Sequence, residues 1–143
     1  MKSTLNDREK QELIRKALEA RRTAYAPYSH FLVGAALLAE DGSFYQGGNI
    51  ENASYGATNC AERTAVFKAV SDGKHKIRAM AVAGGMEGGD PADYAYPCGI
   101  CRQVIQEFAA EDMVLIVAKS DADYREFLFK ELLPCGFGGE SIQ

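Results

Sequence analysis

The chain has 143 residues, a length that fits one domain, here residues 1–143, with a hydrophobic core of its own. Hydrophobic residues make up 47% of the chain and charged residues 25%, a balance that excludes disordered and fibrous proteins. Sixteen Lys and Arg residues against twenty Asp and Glu residues give a net charge of -4, which argues against a polynucleotide partner.

No segment of the chain is predicted to enter a membrane. The longest apolar runs, residues 31–39 and 113–118, are far shorter than the roughly 20 residues of a transmembrane helix. The N-terminal residues are too polar for the apolar centre of a signal peptide. We therefore expect a cytoplasmic protein with no membrane partner.

The first predicted element is an amphipathic helix over residues 7–25. Its start is indicated by Asn6 and Glu9, which have the spacing of a capping box, and its end by Pro27, which cannot continue the helical hydrogen bonds. One face of this segment is apolar, as a helix that packs on a core requires. The apolar positions are Leu13, Ala17, Ala20 and Ala24, widened by Ile14, Leu18 and Tyr25.

An antiparallel hairpin is expected next, because an apolar segment at residues 31–38 and a short segment at residues 43–46 flank an Asp-Gly turn. A second helix is predicted to open at Asn59 and to close at the Asp-Gly pair of residues 72–73. Residues 77–83 are predicted to form a third strand.

A glycine-rich loop over residues 84–96 leads to a third helix that begins at Pro97, and then to an apolar strand at residues 113–118. This pattern is typical of a βαβ crossover, so the third and fourth strands are expected to be parallel and buried on both faces. A segment near 124–127 and a helical turn near 130–133 follow. The predicted fold class is α/β, a three-layer α/β/α sandwich around a mixed, about five-stranded β-sheet.

Cysteines are the first candidates for chemistry, since disulfides rarely persist in a reducing compartment. Cys98 and Cys101 have Cys-x-x-Cys spacing at a helix start, and Cys60 also lies where a helix begins. Three thiols can therefore converge from two helix N-termini, where the helix dipole favours thiolates. Three protein ligands suit a catalytic zinc that keeps a position for water, whereas a structural zinc would need a fourth, for which Cys135 is the candidate.

Alternatives remain open for these residues. The cysteines could be small buried hydrophobes, or Cys98 and Cys101 could form a thiol–disulfide centre that leaves Cys60 unused. Glu62 could complete a capping box with Asn59 at the start of the second helix. Beside a zinc-bound water, the same carboxylate is placed to accept a proton and pass it on.

At this point the motifs resemble those of a known family. The sequence CAER at residues 60–63, followed by PCGICRQ at residues 97–103, resembles the zinc signature of cytidine deaminases, specifically the small homotetrameric type with three cysteine ligands. The resemblance extends through YAPYSHF at residues 25–31, GNIEN at residues 48–52 and LLPCGF at residues 132–137. Together these segments are spread over most of the chain.

The resemblance implies hydrolytic deamination of free cytidine, and of 2'-deoxycytidine, to the uracil nucleoside and ammonia in pyrimidine salvage. It implies one Zn²⁺ per subunit on Cys60, Cys98 and Cys101, whose bound hydroxide attacks C4 of cytosine while Glu62 shuttles protons. It also implies a homotetramer with sites shared between subunits. The implied contacts with the nucleoside substrate are Phe31, Asn49, Glu51, the backbone around Ala61, and Phe137 from a neighbouring subunit.

Some of these contacts have simpler interpretations. Asn49 and Glu51 also fit a polar loop after a hairpin, and Phe137 also fits a tail residue that closes the core. The segment 84–96 is longer than its counterpart in the family, and it is expected either to act as a lid or to cover an interface.

The charge of the site leads to a further hypothesis. Zn²⁺ with three thiolates carries a net charge of -1, so it should acidify its water less than a zinc held by neutral imidazoles. The helix N-termini offset part of this charge, and we expect Arg63, with Arg102 as a second candidate, to donate hydrogen bonds to the sulfurs. In the alternative, both arginines form ion pairs at the surface or at a subunit interface.

Two other functions are compatible with parts of the pattern. An enzyme acting on a modified cytosine nucleoside would have the same core motifs. A non-catalytic zinc-stabilised binding module would need a closed site that includes Cys135, and it would leave Glu62 with a capping role only.

Overall fold

A computed structural model describes residues 5–142 and contains a mixed five-stranded sheet with helices on both faces. The strands are β1 (Phe31–Ala39), β2 (Phe44–Gly48), β3 (Ile77–Met86), β4 (Ala109–Ala118) and β5 (Tyr124–Leu128), and the helices are α1 (Asp7–Ala20), α2 (Ala61–Ser71) and α3 (Gly99–Phe108). In the order β2-β1-β3-β4-β5, β3 and β4 pair in parallel and the other neighbours are antiparallel. The predicted fold class and crossover are confirmed. Among the described helices, none has the length and apolar character needed to cross a membrane.

Alternate residues of the central strands pack on opposite faces of the sheet. On β1, Ala36 and Leu38 belong to a core cluster with Leu13 and Ile14 of α1. On the other face, Leu37 packs with residues of α2 and α3. Because both faces are covered by helices, β3 and β4 are apolar along nearly their whole buried length.

Three boundaries differ from the sequence prediction by at least three residues. Helix α1 ends at Ala20 and is followed by a 3-10 turn, because Tyr25 is extended and pairs with Ile50 instead of continuing the helix. Strand β3 continues to Met86, because its glycine-rich end still pairs with β1. Strand β4 starts earlier than residue 113, at Ala109, where it pairs with the beginning of β3.

Helix α1 lies unusually close to β1 at Gly34. A Cβ atom at this position would lie 2.0 Å from the carbonyl oxygen of Ala17 and 2.6 Å from the backbone nitrogen of Arg21. Since backbone atoms cannot move aside cheaply, we expect Gly34→Ala to lower the free energy of unfolding by at least the roughly 1–3 kcal/mol typical of overpacking. Urea denaturation measures this change.

Gly56→Ala is the matched control, because a Cβ there has no neighbour within 4 Å. We expect this variant to stay within about 0.5 kcal/mol of the parent protein. Equal stability of the two variants would show that the α1–β1 contact is looser than the structure has it.

Candidate functional site

Three cysteines meet where the N-termini of α2 and α3 approach each other. Cys60 is the N-cap of α2, Cys98 is the N-cap of α3, and Cys101 lies in the first turn of α3. Their sulfur atoms all lie within 4.8 Å of one another, and the Sγ atoms of Cys60 and Cys98 are 3.8 Å apart. The predicted convergence of three thiols from two helix starts is confirmed.

The spacing of the sulfurs fits a tetrahedral zinc ion. Tetrahedral thiolate ligands at about 2.3 Å from zinc lie about 3.8 Å from one another, the separation seen between Cys60 and Cys98. Cys135, the candidate for a fourth ligand, is exposed, and within the chain from residue 5 to residue 142 it does not belong to the cluster. The cluster therefore offers three sulfur ligands and leaves one position open.

Hydrogen-bond donors surround the sulfurs. The backbone N–H of Cys101 donates to the Cys98 sulfur at 3.4 Å, and Nη2 of Arg63 donates to the Cys60 sulfur at 3.3 Å. The Cys101 thiol and then the Arg63 guanidinium lower the pKa of Cys60 to about 5, against the opposing effect of burial. Donation to the Cys60 sulfur, together with burial, raises the pKa of Cys101. The thiolate therefore forms more readily on Cys60 than on Cys101.

Arg63 is held within this cluster. Its hydrogen bond to the Cys60 sulfur raises the pKa of the guanidinium, which stays charged. Its Nε atom is buried and has no hydrogen-bond partner in the part of the chain that the structure describes. A half-buried cation with an unused donor is stabilised by nearby negative charge, which thiolates supply.

Glu62 is buried beside the cysteines. It is 4% exposed and is the second residue of α2. Burial raises the pKa of its carboxyl to about 7, and negative charge on Cys60 acts in the same direction, while a hydrogen bond with its own backbone opposes the shift. The capping interpretation is wrong, because Cys60 and not Asn59 is the N-cap and α2 has no side-chain cap.

Arg102 does not lie on a sulfur, contrary to our second candidate assignment. Its Nε donates to the carbonyl oxygen of Pro97 at 2.9 Å, and its Nη1 donates to that of Leu132 at 2.8 Å. The neighbouring Gln103 donates to the carbonyl oxygen of Phe137 at 2.8 Å. These two side chains fasten the C-terminal segment to the first turns of α3.

Asn49 and Glu51 follow β2 and are both fixed by hydrogen bonds. The Asn49 amide bridges β1, donating to the carbonyl of Phe31 at 3.0 Å and accepting from the backbone of Val33 at 2.9 Å. Glu51 accepts from the backbone N–H groups of residues 28 and 29 and from the Ser29 hydroxyl. The Ser29 hydroxyl lowers the pKa of Glu51, so this carboxyl is ionised.

The remaining predicted contacts differ in exposure. Phe31 begins β1, is 37% exposed, and its ring fills the space where a side chain on Gly84 would lie. Ala61 is fully buried in the first turn of α2, next to Cys60. Phe137 is 56% exposed, so it is not the tail residue closing the core that one interpretation required.

The sequence alone did not indicate two residues that lie beside Glu51 in the structure. Ser29 holds Glu51, and Tyr55, which is 80% exposed, lines with Glu51 a cavity of 410 Å³. Cavities of 600 and 570 Å³ lie elsewhere, along α1, and are lined by residues other than the three sulfur ligands and Glu62. Ser29 belongs to the motif at residues 25–31, but its partner Glu51 is distant in the chain, so no local pattern indicates their hydrogen bond.

Comparison with known proteins agrees with this geometry. Residues 7–117 match the family model described as the cytidine and deoxycytidylate deaminase zinc-binding region. The chain is 48% identical over 134 residues to a cytidine deaminase of Halalkalibacterium halodurans, covering 94% of this chain and 98% of that one. It is 50% identical over 132 residues to a cytidine deaminase of Sporosarcina psychrophila, covering 92% and 93%.

Solved structures show the same similarity. The crystal structure of a cytidine deaminase from Burkholderia pseudomallei superposes with a TM-score of 0.79 at 43% identity, covering 88% of this chain and 97% of that chain. The crystal structure of cytidine deaminase from Mycobacterium tuberculosis superposes with a TM-score of 0.73 at 38% identity, covering 89% and 95%. Both the sequence and the backbone therefore match along most of their length.

Proposed function

Since the chain belongs to the zinc-dependent cytidine deaminase family, we propose that its cysteine cluster and Glu62 form the active site that hydrolyses free cytidine, and 2'-deoxycytidine, to the uracil nucleoside and ammonia. The observation that carries this proposal is the placement of the buried Glu62 carboxyl two residues after Cys60, one of three convergent thiols. A structural zinc site would have no use for the carboxyl, whereas hydrolysis needs a proton carrier at that place.

Cys60, Cys98 and Cys101 would hold the zinc ion, which, when bound, supplies a Lewis acid that makes water nucleophilic near neutral pH. Glu62 accepts the first proton of the attacking water and delivers it to N3 of the ring, which makes C4 more electrophilic. It then carries the second proton to the amino group, and the C4–N bond breaks as ammonia leaves. The water oxygen remains on C4, so the reaction balances without an oxidant.

The polar residues after β2 are assigned to the sugar. Asn49 retains one N–H donor and one acceptor lone pair beyond its bonds to β1, and Glu51 is an ionised acceptor. Such a pair can both donate to and accept from a ribose hydroxyl. Phe31 and Phe137 supply exposed aromatic surface for the nucleoside, and the backbone at Ala61 lies beside the cysteine cluster for the polar edge of the base.

We further propose a homotetramer with shared sites, working in the reducing cytoplasm where the thiols stay free. Cys98 is exposed in a single copy, as is much of the aromatic surface near the proposed site. The exposed aromatic side chains include Tyr25, Tyr28, Phe31, Tyr55 and Phe137. Contacts with other copies would cover this surface and complete the substrate pocket.

A panel of substrates tests the activity. The purified protein is incubated with cytidine, 2'-deoxycytidine, a modified cytosine nucleoside and a cytosine-containing oligonucleotide, and the uracil products and ammonia are measured. We expect the two unmodified nucleosides to be deaminated fastest and the oligonucleotide to be inert. Preference for the oligonucleotide or for the modified nucleoside, or inactivity of the zinc-loaded protein on all of them, would contradict the proposal.

Replacing Arg63 should weaken metal binding. Arg63→Gln removes the charged donor to the Cys60 sulfur, and loss of a hydrogen bond to a metal ligand typically costs about 10–100-fold in affinity. Competition with a chromogenic chelator measures the zinc affinity. Arg22→Gln, which changes an exposed arginine on the turn after α1, is the control. Equal affinities in the two variants would show that Arg63 contributes nothing to holding the metal.

A further inference from the structure

Within a single copy of the chain, Cys98 is the most exposed of the three sulfur ligands. Cys101 is fully buried and Cys60 is half-buried, but Cys98 is exposed. Side-chain packing therefore does not fix the Cys98 sulfur, and its place depends on the backbone that carries it. The chain reaches this residue through residues 87–97, the segment between β3 and α3.

The beginning of this segment is tied to the 3-10 turn that follows α1. The guanidinium of Arg21 donates through Nε to the carbonyl oxygen of Leu32 at 3.0 Å. Its Nη2 donates to the carbonyl oxygens of Met86 at 3.3 Å and Gly89 at 3.1 Å. One side chain thus joins the start of β1, the end of β3 and the turn that follows.

The end of the segment is held by Tyr94. Its ring lies beneath two cations, with Nζ of Lys119 at 4.8 Å and Cζ of Arg125 at 4.4 Å from the ring centroid. Its hydroxyl donates a hydrogen bond to the carboxylate of Asp123. All three partners belong to β4–β5 or the turn between the two strands, so Tyr94 is attached to the edge of the sheet.

Tyr96 makes a second attachment to the same edge. Its ring contacts Phe127 edge-on, with centroids 6.0 Å apart and an interplanar angle of 62°. Its hydroxyl oxygen accepts a hydrogen bond from Nη1 of Arg125 at 3.3 Å. We call these residues the tyrosine clamp: Tyr94 and Tyr96 on the segment, with Lys119, Asp123, Arg125 and Phe127 on the sheet edge.

The clamp ends two residues before the sulfur ligand. Two residues span at most about 7 Å, and the intervening Pro97 is buried and has a restricted φ. The carbonyl oxygen of Pro97 is also held by Arg102. Cys98 is thus fixed from its N-terminal side by the clamp and from its C-terminal side by the first turn of α3.

We propose that the tyrosine clamp positions Cys98 and thereby sets how firmly the chain retains its metal, so that residues 87–97 are a fixed support and not a lid. This inference rests on the proposed metal site but not on the reaction. Opening the segment as a lid would break the Arg21 bonds and the aromatic contacts together, and it would move a metal ligand.

Release of zinc from the loaded protein tests the proposal. We expect Tyr94→Ala to release zinc to a chromogenic chelator about 10- to 100-fold faster than the unmodified protein, the size of effect seen when groups that orient metal ligands are removed. Tyr94→Phe keeps the ring against the two cations and should release zinc at close to the original rate. Arg125→Ala removes the cation shared by both tyrosines and should accelerate release.

Tyr124→Ala separates positioning from general stability. Tyr124 lies on β5 between two clamp residues, but its side chain packs on the core cluster of the α1 face, whereas Tyr94 and Phe127 of the clamp pack on the cluster of the opposite face. Its loss should destabilise the same strand without accelerating zinc release. Circular dichroism during the assay establishes that each variant is folded.

The outcomes are distinct. Release from both Tyr94→Ala and Arg125→Ala within twofold of the unmodified rate would overturn the positioning role. Equal acceleration by Tyr124→Ala would also overturn it, because the effect would then be one of stability. Unmodified protein that binds no zinc would overturn the proposed metal site itself, whatever the variants do.

Discussion

Glu62→Gln is expected to keep the fold and the zinc while losing at least the roughly 10²–10⁴-fold in kcat that a positioned acid–base group contributes. The amide has nearly the shape of the carboxyl, so the tightly packed position at the start of α2 accepts it without a cavity. It cannot accept and return a proton, so the water, N3 and the leaving amino group lose their shared carrier. The decrease in ultraviolet absorbance as cytidine becomes uridine measures kcat.

Glu111→Gln is the matched control for this experiment. Glu111 is an exposed carboxylate on β4, and its replacement makes the same chemical change away from the cysteine cluster. Zinc content measured on both variants separates loss of proton transfer from loss of metal. Near-normal turnover by zinc-loaded Glu62→Gln would remove Glu62 from the catalytic role.

The second large effect concerns the metal ligands. Cys101→Ser should leave the purified protein with little zinc and no measurable deamination, because a neutral hydroxyl does not replace a buried thiolate. Cys135→Ser makes the same substitution at an exposed cysteine outside the cluster, and it should retain one zinc per chain and full activity. Zinc stoichiometry by mass spectrometry compares the two variants.

Cys135→Ser also decides between the catalytic site and a closed structural site. Loss of zinc from this variant would show that Cys135 is a fourth ligand, as in a non-catalytic zinc-stabilised module. Unchanged zinc in Cys101→Ser would contradict the ligand assignment.

Local patterns predicted the order and type of the helices and strands, but contacts distant in the chain decided their ends. The capping pair at Asn6 and Glu9 marks the start of α1 correctly, because that signal lies within one helical turn. The end of α1 depends on the pairing of Tyr25 with Ile50, which no local pattern reveals. In the same way, pairing with β1 holds the glycines at the end of β3 in a strand.

In the candidate site as well, local patterns predicted some features, and contacts distant in the chain decided the others. The three sulfurs were predictable because helix N-termini and Cys-x-x-Cys spacing are local features. A shift of one residue at the start of α2 was enough to exclude the capping role of Glu62. The partners of Arg102 are carbonyls on two separate segments, and the position of Leu132 beside α3 is set by the folded tail. The position of an arginine next to a ligand motif therefore does not predict which atoms its guanidinium contacts.

X-ray absorption spectroscopy at the zinc edge of the purified protein directly determines whether the metal has three sulfur ligands and an open position. We expect one zinc per chain with three sulfur neighbours at about 2.3 Å and one lighter oxygen neighbour. A spectrum with four sulfur neighbours, or protein that contains no zinc after expression in zinc-sufficient medium, would contradict this expectation.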